Sequence, residues 1–271
     1  MKHIDSTEEL YLSRRRNNRA IDTTNFYPQS QPKQHKRGKQ QPALQVVNED
    51  YVHQRTKRVD LIPKSLNQEN YIELLNDPNK LIIFATGPAG TGKTMLAVLA
   101  AIRAYQNGEC KKIVITRPAV GVDDEQHGFL PGDLNAKMAP WTRPIMDVFA
   151  EYYRQSEITK MLDEQTIEVS PLAFMRGRTF KNSWIIADEM QNATPSQMKM
   201  LLTRLGENSK MVVTGDTRQT DRKEQDNGLI DFQRLVADYK NSRYVAGVEF
   251  GGTDIQRHKA VVEILKIYKE L

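Results

Sequence analysis

The motif that most constrains this chain lies at residues 87–94, which read Gly-Pro-Ala-Gly-Thr-Gly-Lys-Thr and fit the pattern G-x-x-x-x-G-K-[ST] at each defined position. An apolar run at 80–86 precedes the motif, and a helical pattern at 94–106 follows it. Further patterns predict strands at 112–116, 184–187 and 211–214, and helices at 67–75, 196–205 and 256–271. Strands that alternate with helices predict an α/β fold with a parallel sheet flanked by helices.

Loops of this pattern bind nucleotide phosphates, because their glycines let backbone N–H groups turn toward the phosphate oxygens. The helix that follows adds the positive end of its dipole. We expect Lys93 to reach the β- and γ-phosphates and the hydroxyl of Thr94 to bind Mg²⁺. The residues predicted to hold the nucleotide are Gly87, Pro88, Ala89, Gly90, Thr91, Gly92, Lys93 and Thr94. A Gly-rich turn that matches by chance is the ordinary alternative, and the flanking patterns argue against it.

The predicted strand at 184–187 ends in two carboxylates. Asp188 has the position from which an aspartate holds Mg²⁺, directly or through water. Glu189 is then placed to accept a proton from an attacking water, which favours hydrolysis over phosphate transfer to a small acceptor. Residues 79–82 read Asn-Lys-Leu-Ile and lack the acid of the guanine-binding pattern N-K-x-D, so we expect ATP. Taken alone, this motif would be an ordinary strand end with two acids.

A third motif follows the strand predicted at 211–214, where residues 215–219 read Gly-Asp-Thr-Arg-Gln. A polar side chain at this place can contact the γ-phosphate and respond to its loss, and Gln219 is the candidate. The pattern G-D-x-x-Q is weak by itself, because a turn-forming Gly-Asp pair would explain it. Its order after the first two motifs makes it more specific.

The net charge of +5 comes entirely from residues 1–60, which hold 12 basic and 7 acidic residues, while residues 61–271 hold 27 of each. Weak apolar periodicity predicts that 1–60 is a mostly disordered basic extension and 61–271 the folded domain. The extension is either a nucleic-acid arm or a solvated linker. The stretch 119–139 contains several glycines and a proline and is predicted to be an irregular loop that is either functional or mobile.

These stretches together resemble the PhoH family, a group of phosphate-starvation-associated P-loop ATPases that is also found in bacteriophages. The resemblance covers roughly residues 64–262. The family is similar to the motor domain of superfamily 1 helicases, which implies a single RecA-like P-loop NTPase domain. The matching stretches are Asn-Gln (67–68), the motif at 87–94, Thr-Arg-Pro-Ala-Val (116–120), Gly-Phe-Leu-Pro-Gly-Asp (128–133), Pro-Leu-Ala-Phe-Met-Arg-Gly-Arg-Thr (171–179), Asp-Glu-Met-Gln-Asn (188–192), and Thr-Pro with Gln-Met-Lys (194–199).

The resemblance also implies roles for single residues. Gln68 would contact the adenine and Gln219 would sense the γ-phosphate. Arg257 matches the Val-Arg-His stretch of the family and is a candidate arginine finger, which one arrangement would place across a subunit boundary. With these, the catalytic candidates are Lys93, Glu189, Gln219 and Arg257. The candidates for a phosphate or nucleic-acid path are Arg117, Arg176 and Arg178, although surface salt bridges would equally explain the last two.

Two departures from the family pattern are visible. Met190 stands where alanine is commoner, and Lys259 follows His258 where many relatives have proline or a short residue. A lone RecA-like domain carries its ATP site on one edge, so the resemblance implies a homo-oligomer, with a hexameric ring as the expected form.

The sequence therefore predicts an ATP hydrolase that uses ATP and Mg²⁺ and couples hydrolysis to single-stranded RNA or DNA. The alternative is an ATP-dependent regulatory or scaffold oligomer without translocation along nucleic acid. A single cysteine, no signal-like N-terminus and no apolar run long enough for a bilayer predict a cytoplasmic protein without membrane contact, in the host cytoplasm if a phage encodes it.

Overall fold

A computed structural model describes residues 57–118, 134–220, 227–239 and 242–268. Within these ranges the strands are β1 (Ile82–Thr86), β2 (Lys112–Thr116), β3 (Ile167–Val169), β4 (Ser183–Ala187), β5 (Lys210–Gly215) and β6 (Val245–Glu249). The helices are α1 (Leu66–Asn76), α2 (Lys93–Gln106), α3 (Leu134–Ala150), α4 (Gln155–Asp163), α5 (Pro195–Leu202), α6 (Gly228–Asp238) and α7 (Lys259–Ile267). Single 3₁₀ turns lie at Leu172–Met175, Met190–Asn192 and Gly252–Asp254.

The six strands form one parallel sheet in the order β3-β2-β4-β5-β1-β6. Helices cover both faces, so the predicted α/β fold with a parallel sheet flanked by helices is confirmed. Because all carboxyl ends of parallel strands meet at one edge, the loops that follow β1, β4 and β5 come together there. We call this edge the carboxyl edge and the opposite one the amino edge.

The core consists of two apolar layers, one on each face of the sheet, because successive strand side chains point to opposite faces. Ile83 and Ile115 pack into the layer beneath α2, whereas Phe84 and Val114 pack into the other layer with Leu201 of α5. Helix α2 is buried along most of its length, from Leu96 to Ala104. Each fully buried branched side chain stabilises the fold by about 1.5–3 kcal/mol, so the sheet is a rigid platform for its loops.

Four of the six strands agree with the sequence prediction to within two residues. The two that the sequence did not reveal are β3, which has three residues, and β6, an edge strand with a half-buried pattern. Neither carries the continuous apolar run that marks a central parallel strand.

Helices α3, α4 and α6 were not predicted, and helix α5 ends at Leu202 rather than at residue 205. Helix α3 begins at Leu134, inside the stretch 119–139 that we expected to be irregular. It contains Pro140 and Pro144, which lack the backbone N–H of a helix interior and so disguise the helical pattern. The rest of that stretch, residues 119–133, lies outside the described residues.

The prediction for residues 1–60 falls almost wholly on residues that the structure does not describe. Of residues 57–60, Val59 is buried and packs in the layer beneath α2. No helix in the described ranges is both long enough and apolar enough to cross a bilayer.

Candidate active site

The loop between β1 and α2 wraps around the ammonium group of its own lysine. The Nζ atom of Lys93 donates to the carbonyl oxygens of Gly87 and Pro88, both at 2.7 Å, and lies 3.3 Å from the hydroxyl of Thr91. The hydroxyl of Thr91 donates to the same Pro88 carbonyl at 2.9 Å. These contacts hold a cation at the carboxyl edge, within reach of any anion that enters the loop.

Gly87 shows why the loop begins with glycine. Its φ is +133°, a conformation that residues with a side chain rarely adopt. A Cβ at this position would lie 2.3 Å from the carbonyl oxygen of Phe250, which follows β6. The loop is therefore pressed against the chain that leaves the neighbouring edge strand.

Thr94, at the start of α2, meets the end of β4. Its hydroxyl donates to Oδ1 of Asp188 at 2.7 Å, and the hydroxyl of Thr214 at the end of β5 donates to the same oxygen at 2.6 Å. Asp188 is 7% exposed. A hydroxyl beside a carboxylate suits Mg²⁺, which takes oxygen ligands and usually completes its shell with waters and substrate phosphates. The described residues contain no cluster of three or more acidic, His or Cys side chains that would hold a metal alone.

Glu189 has a left-handed backbone, with φ of 54°, which costs a non-glycine residue roughly 1–2 kcal/mol. Its Oε2 accepts a hydrogen bond of 2.6 Å from Nε2 of Gln191. The same Nε2 of Gln191 lies 3.3 Å from the backbone carbonyl oxygen of Gln219. The Oε1 atom of Gln191 accepts a hydrogen bond from the backbone N–H of Asp216. One buried glutamine thus ties the carboxylate that follows β4 to the loop that follows β5.

The loop after β5 places a third acid close to Lys93. Asp216 is 6% exposed and its Oδ1 accepts from the backbone N–H of Arg218, which fixes the carboxylate. The side chain of Gln219 is exposed, so it is free to meet a ligand at this edge. Of this loop, Gln219 alone was named as a catalytic candidate from the sequence.

The surroundings of Lys93 shift its pKa in opposite directions. Burial lowers the pKa of Lys93, the carboxylates of Asp216, Glu189 and Asp188 oppose this shift, and Arg257 adds to it. The net direction is downward, so the ammonium is held in a place where its charge is poorly compensated. A polyanion in the loop would supply the missing negative charge and raise this pKa.

Gln68 lies against the loop between β1 and α2, residues 87–92, which we call the phosphate loop. Its Nε2 donates to the carbonyl oxygen of Thr91 at 3.0 Å, and its Oε1 accepts from the backbone N–H of Lys64 at 2.8 Å. The residue is 2% exposed, and its amide is 3.1 Å from the position of a Cβ on Gly92. In this structure Gln68 supports the loop, and its contact with adenine stays a prediction.

Arg257 belongs to the segment between β6 and α7, and it lies on the phosphate loop of its own chain. A Cβ on Gly90 would be 2.4 Å from Nε of Arg257. The backbone N–H of Gln256 donates to the carbonyl oxygen of Gly90 at 2.9 Å. The sequence suggested a place across a subunit boundary as one arrangement, whereas the structure brings this arginine to the site within one chain.

The three arginines named for a nucleic-acid path have different surroundings. Arg178 makes a two-pronged ion pair with Glu168, at 2.5 and 3.0 Å, and covers the ring of Phe180. That is the surface salt bridge which the sequence left open as an explanation. Arg117 and Arg176 make no side-chain hydrogen bond or ion pair with any residue the structure describes, and Arg176 is exposed.

The sequence reasoning missed three residues of this site, Gln191, Thr214 and Asp216. Gln191 lies in the quoted stretch 188–192, but nothing in the pattern shows that its side chain joins two loops. Thr214 carried a weak signal, since it is a polar residue at the buried end of an otherwise apolar strand.

Comparisons with known proteins identify the family of this chain. Residues 60–269 match the family model described as PhoH-like protein. A PhoH-like protein of Synechocystis sp. is 42% identical over 217 residues, which are 79% of this chain and 64% of that protein. A PhoH-like protein of Bacillus subtilis is 40% identical over 81% of this chain and 67% of its own length, and Protein PhoH of Escherichia coli is 37% identical over 77% and 58%.

The similarity to solved structures is much lower. The Pif1 helicase of Candida albicans has 13% identity and a TM-score of 0.39, covering 77% of this chain and 44% of that one. The SWI2/SNF2 ATPase core of Sulfolobus solfataricus, solved with double-stranded DNA, has 12% identity and a TM-score of 0.36, covering 59% and 34%. These values are too low to bear on function. The chain spans about two thirds or less of the length of the three relatives named above, so their complete activities do not transfer to it. The family match over residues 60–269 and the identity of about 40% to relatives of that name show that the chain belongs to the PhoH family.

Proposed function

We propose that this chain hydrolyses ATP to ADP and phosphate with the help of Mg²⁺. The observation that carries the proposal is the meeting of Lys93, the Thr94–Asp188 pair and Glu189 at one edge of the sheet. Lys93 and Thr94 begin α2, whereas Asp188 and Glu189 follow β4, so only the folded chain assembles a cation, a pair of oxygen ligands and a further carboxylate in one place. These are the parts that phosphoryl transfer to water requires.

Lys93 prepares the site for the phosphates. Its ammonium donates to the carbonyls of Gly87 and Pro88, and those bonds are exchanged for phosphate oxygens when ATP enters. Because burial has already removed most of the water around it, its attraction to a phosphate is stronger than that of an exposed lysine. The exchange also removes the uncompensated charge that lowers its pKa.

Thr94 and Asp188 would hold Mg²⁺, which supplies charge neutralisation between the β- and γ-phosphate oxygens when it is bound. Thr214 fixes Asp188 through its hydroxyl, so the carboxylate does not have to be ordered when the ligand arrives. Glu189 accepts the proton of the attacking water, and Gln191 holds that carboxylate by one oxygen. Gln219 contacts the γ-phosphate from the loop after β5.

Adenine is the base that we propose, since the sequence at 79–82 lacks the acid of the guanine-binding pattern. Gln68 is the candidate for contact with the base, from its place beside Thr91 and Gly92. Reaching the base requires one of its two hydrogen bonds to the backbone to be exchanged. We place the protein in the cytoplasm, in agreement with one free buried cysteine, Cys110.

We further propose that hydrolysis is coupled to single-stranded RNA or DNA. Support comes from Arg117 and Arg176, whose guanidinium groups have no partner among the described residues, and from the basic residues 1–60. Arg178 contributes less, because its ion pair with Glu168 would have to be broken. A homo-oligomeric ring, with six copies as the expected number, is the proposed assembly.

The second candidate function is an ATP-dependent scaffold that binds a protein and does not move along nucleic acid. It is favoured by the apolar side of α7, where Ile264, Ile267 and Tyr268 are 50%, 72% and 72% exposed. Apolar surface of this kind is typical of a docking site.

The test of the proposed function is the rate of ATP hydrolysis with and without single-stranded RNA and DNA oligonucleotides. We expect turnover that requires Mg²⁺, is stimulated by one of the nucleic acids, and is lost in Glu189→Gln. The double variant Arg117→Ala/Arg176→Ala should reduce the stimulation, and Lys181→Ala, an exposed cation at the amino edge, should not. A rate of hydrolysis that no oligonucleotide changes would favour the scaffold. The absence of any turnover would overturn the proposal that the chain hydrolyses ATP.

A further inference from the structure

The segment between β6 and α7, residues 250–258, lies across the phosphate loop, and we call it the C-terminal strap. The backbone N–H of Phe250 donates to the carbonyl oxygen of Thr86 at 2.7 Å, and that of Gln256 donates to Gly90 at 2.9 Å. Between these two bonds the carbonyl of Phe250 fills the space where Gly87 would carry a side chain. The strap is thus bonded to both ends of the stretch 86–90.

A second attachment holds the middle of the strap. Asp254 is 2% exposed, and its Oδ2 accepts from the backbone N–H of Gly251 at 2.7 Å and from Nδ2 of Asn67 at 2.8 Å. Burial alone would raise the pKa of Asp254, and hydrogen bonds from Ser65, Asn67 and Gly251 bring it below its usual value. Asp254 therefore stays ionised at neutral pH and ties the strap to the start of α1.

The strap ends with Arg257, whose aliphatic part covers the top of the loop. A Cβ on Gly90 would lie 2.4 Å from Nε and 2.9 Å from both Cγ and Cδ of this side chain. Arg257 makes no hydrogen bond or ion pair with any residue in the described part of the chain, yet its charge lowers the pKa of Lys93. The ammonium of Lys93 and the guanidinium of Arg257 are thus held near the same loop, and neither is hydrogen-bonded to an acid among the described residues. Two such cations attract a polyanion.

We propose that Arg257 acts in cis, on the phosphates of the nucleotide bound by its own chain, and that it is not delivered to a neighbouring subunit. The proposal rests on the ATPase function proposed above. Arginine groups that stabilise the charge of a phosphoryl-transfer transition state are supplied either by the same chain or by a partner. Here the strap fixes Arg257 to the loop at Gly90, and leaving it for another subunit would require breaking the bond from Gln256 as well.

The experiment mixes two defective variants, Lys93→Ala and Arg257→Ala. Because Arg257 is exposed, its replacement should leave the fold intact, and Arg257→Lys should recover part of the loss. Arg243→Ala, which removes another exposed arginine near β6, is the matched control and should behave as wild type. We expect Arg257→Ala to lower kcat by about 10³-fold, the lower end of the range for such an arginine.

Mixing separates the two arrangements, since each variant lacks a different part of the site. If Arg257 acts in cis, no mixed assembly contains a complete site and activity stays at the level of the separate variants. If it acts in trans, a Lys93→Ala copy would donate its arginine to an Arg257→Ala neighbour, and roughly one quarter of the sites in an equal mixture would recover. That recovery would overturn the proposal. Subunit exchange is verified with a tagged wild-type copy, and if the protein is a monomer, wild-type turnover by Arg257→Ala would overturn the proposal directly.

A binding readout keeps this result distinct from the proposed hydrolase. The number of high-affinity sites for the transition-state analogue ADP–aluminium fluoride, whose affinity depends on Arg257, is titrated in the same mixtures, which requires no turnover. Wild type that binds the analogue but shows no hydrolysis would contradict the proposed function, while the absence of recovered sites in the mixture would still support the action in cis. Recovered sites would reject that action whether or not ATP is hydrolysed.

Discussion

Two lysines, the buried Lys93 and the half-buried Lys210, occupy opposite edges of the same sheet and are held in nearly the same way. Lys93 at the carboxyl edge donates to the carbonyls of Gly87 and Pro88. Lys210 at the amino edge donates to the carbonyls of Leu75 and Asp77, at 2.7 and 2.9 Å. Burial is the largest cause of a lowered pKa for both.

The two lysines differ in what holds the carbonyls. Those that receive Lys210 belong to the end of α1, where unpaired carbonyls and the negative end of the helix dipole require a cation. Those that receive Lys93 belong to a loop with three glycines at positive φ, flanked by three carboxylates and an arginine. The hydrogen bonds of a lysine therefore do not show by themselves whether it is structural or a candidate for function. The distinction comes from the backbone that supplies the acceptors, which is a helix end for Lys210 and a glycine-rich loop for Lys93.

The largest expected effect distinguishes the two lysines by nucleotide binding. Lys93→Ala removes the cation that we propose to bind the phosphates, so we expect binding of ATP to weaken by at least 10²-fold, as for the loss of a buried charge-assisted hydrogen bond. Lys210→Ala should bind ATP like wild type, because its ammonium lies at the other edge. Calorimetric titration with ATP and Mg²⁺ measures both. Equal losses in the two variants would show that the edges are not independent.

The next effect compares two glutamates in the same manner. Glu189→Gln keeps the shape of the site but cannot accept a proton, so turnover should fall by about 10²–10⁴ while ATP still binds. Glu207→Gln changes an exposed carboxylate at the amino edge that pairs with Lys181 at 3.4 Å, and it should leave turnover unchanged. Phosphate release under saturating ATP gives the rates. Turnover near the wild-type rate in Glu189→Gln would remove this residue from the mechanism.

At the carboxyl edge, the residues that belong to a recognisable motif could be predicted from the sequence. Lys93, Thr94 and Asp188 lie beside strand patterns that the sequence marks clearly, and the parallel sheet then brings them together. The position of Arg257 depends on β6, whose half-buried edge pattern gives no clear signal. Its contact with Gly90 joins residues that are far apart in the chain, so only the fold reveals it.

The amino edge was less predictable, because its polar residues follow no motif. In the sequence, Lys210 is simply the polar first residue of a strand. Its neighbours in the chain do not indicate that its ammonium binds the last turn of α1. Gln191 presents the same difficulty at the carboxyl edge, since its role depends on the distance between two loops and not on its neighbours in sequence.

A smaller effect tests that link between the loops. Gln191→Leu would leave Glu189 without its 2.6 Å hydrogen bond and the N–H of Asp216 without an acceptor. A buried donor left unpaired costs about 1–3 kcal/mol, so we expect kcat to fall about tenfold with little change in KM. Gln155→Leu, at the exposed start of α4, is the matched control. A drop in stability alone, with kcat unchanged, would make Gln191 a purely structural residue.

The last effect is on stability rather than on binding or turnover, and it concerns the amino edge alone. Burial lowers the pKa of Lys210 from 10.5 to about 8, with Asp77 and Glu109 opposing the shift and Arg103 adding to it. Between these two pH values the unfolded chain binds a proton at this lysine that the folded chain has released, so the free energy of unfolding rises with pH. The variant Lys210→Met lacks this contribution.

Wild type should therefore gain stability over Lys210→Met as the pH is raised from 8 to 10, by roughly 2 kcal/mol at 1.36 kcal/mol per unit of pKa. Urea denaturation of both proteins at several pH values measures the difference, and titrations that the two share cancel from it. A difference that does not change with pH would mean that the carbonyls of α1 keep Lys210 charged. The carbonyls at the end of α1 would then outweigh burial in setting the pKa of Lys210. Of these two lysines, only Lys93 would keep a lowered pKa.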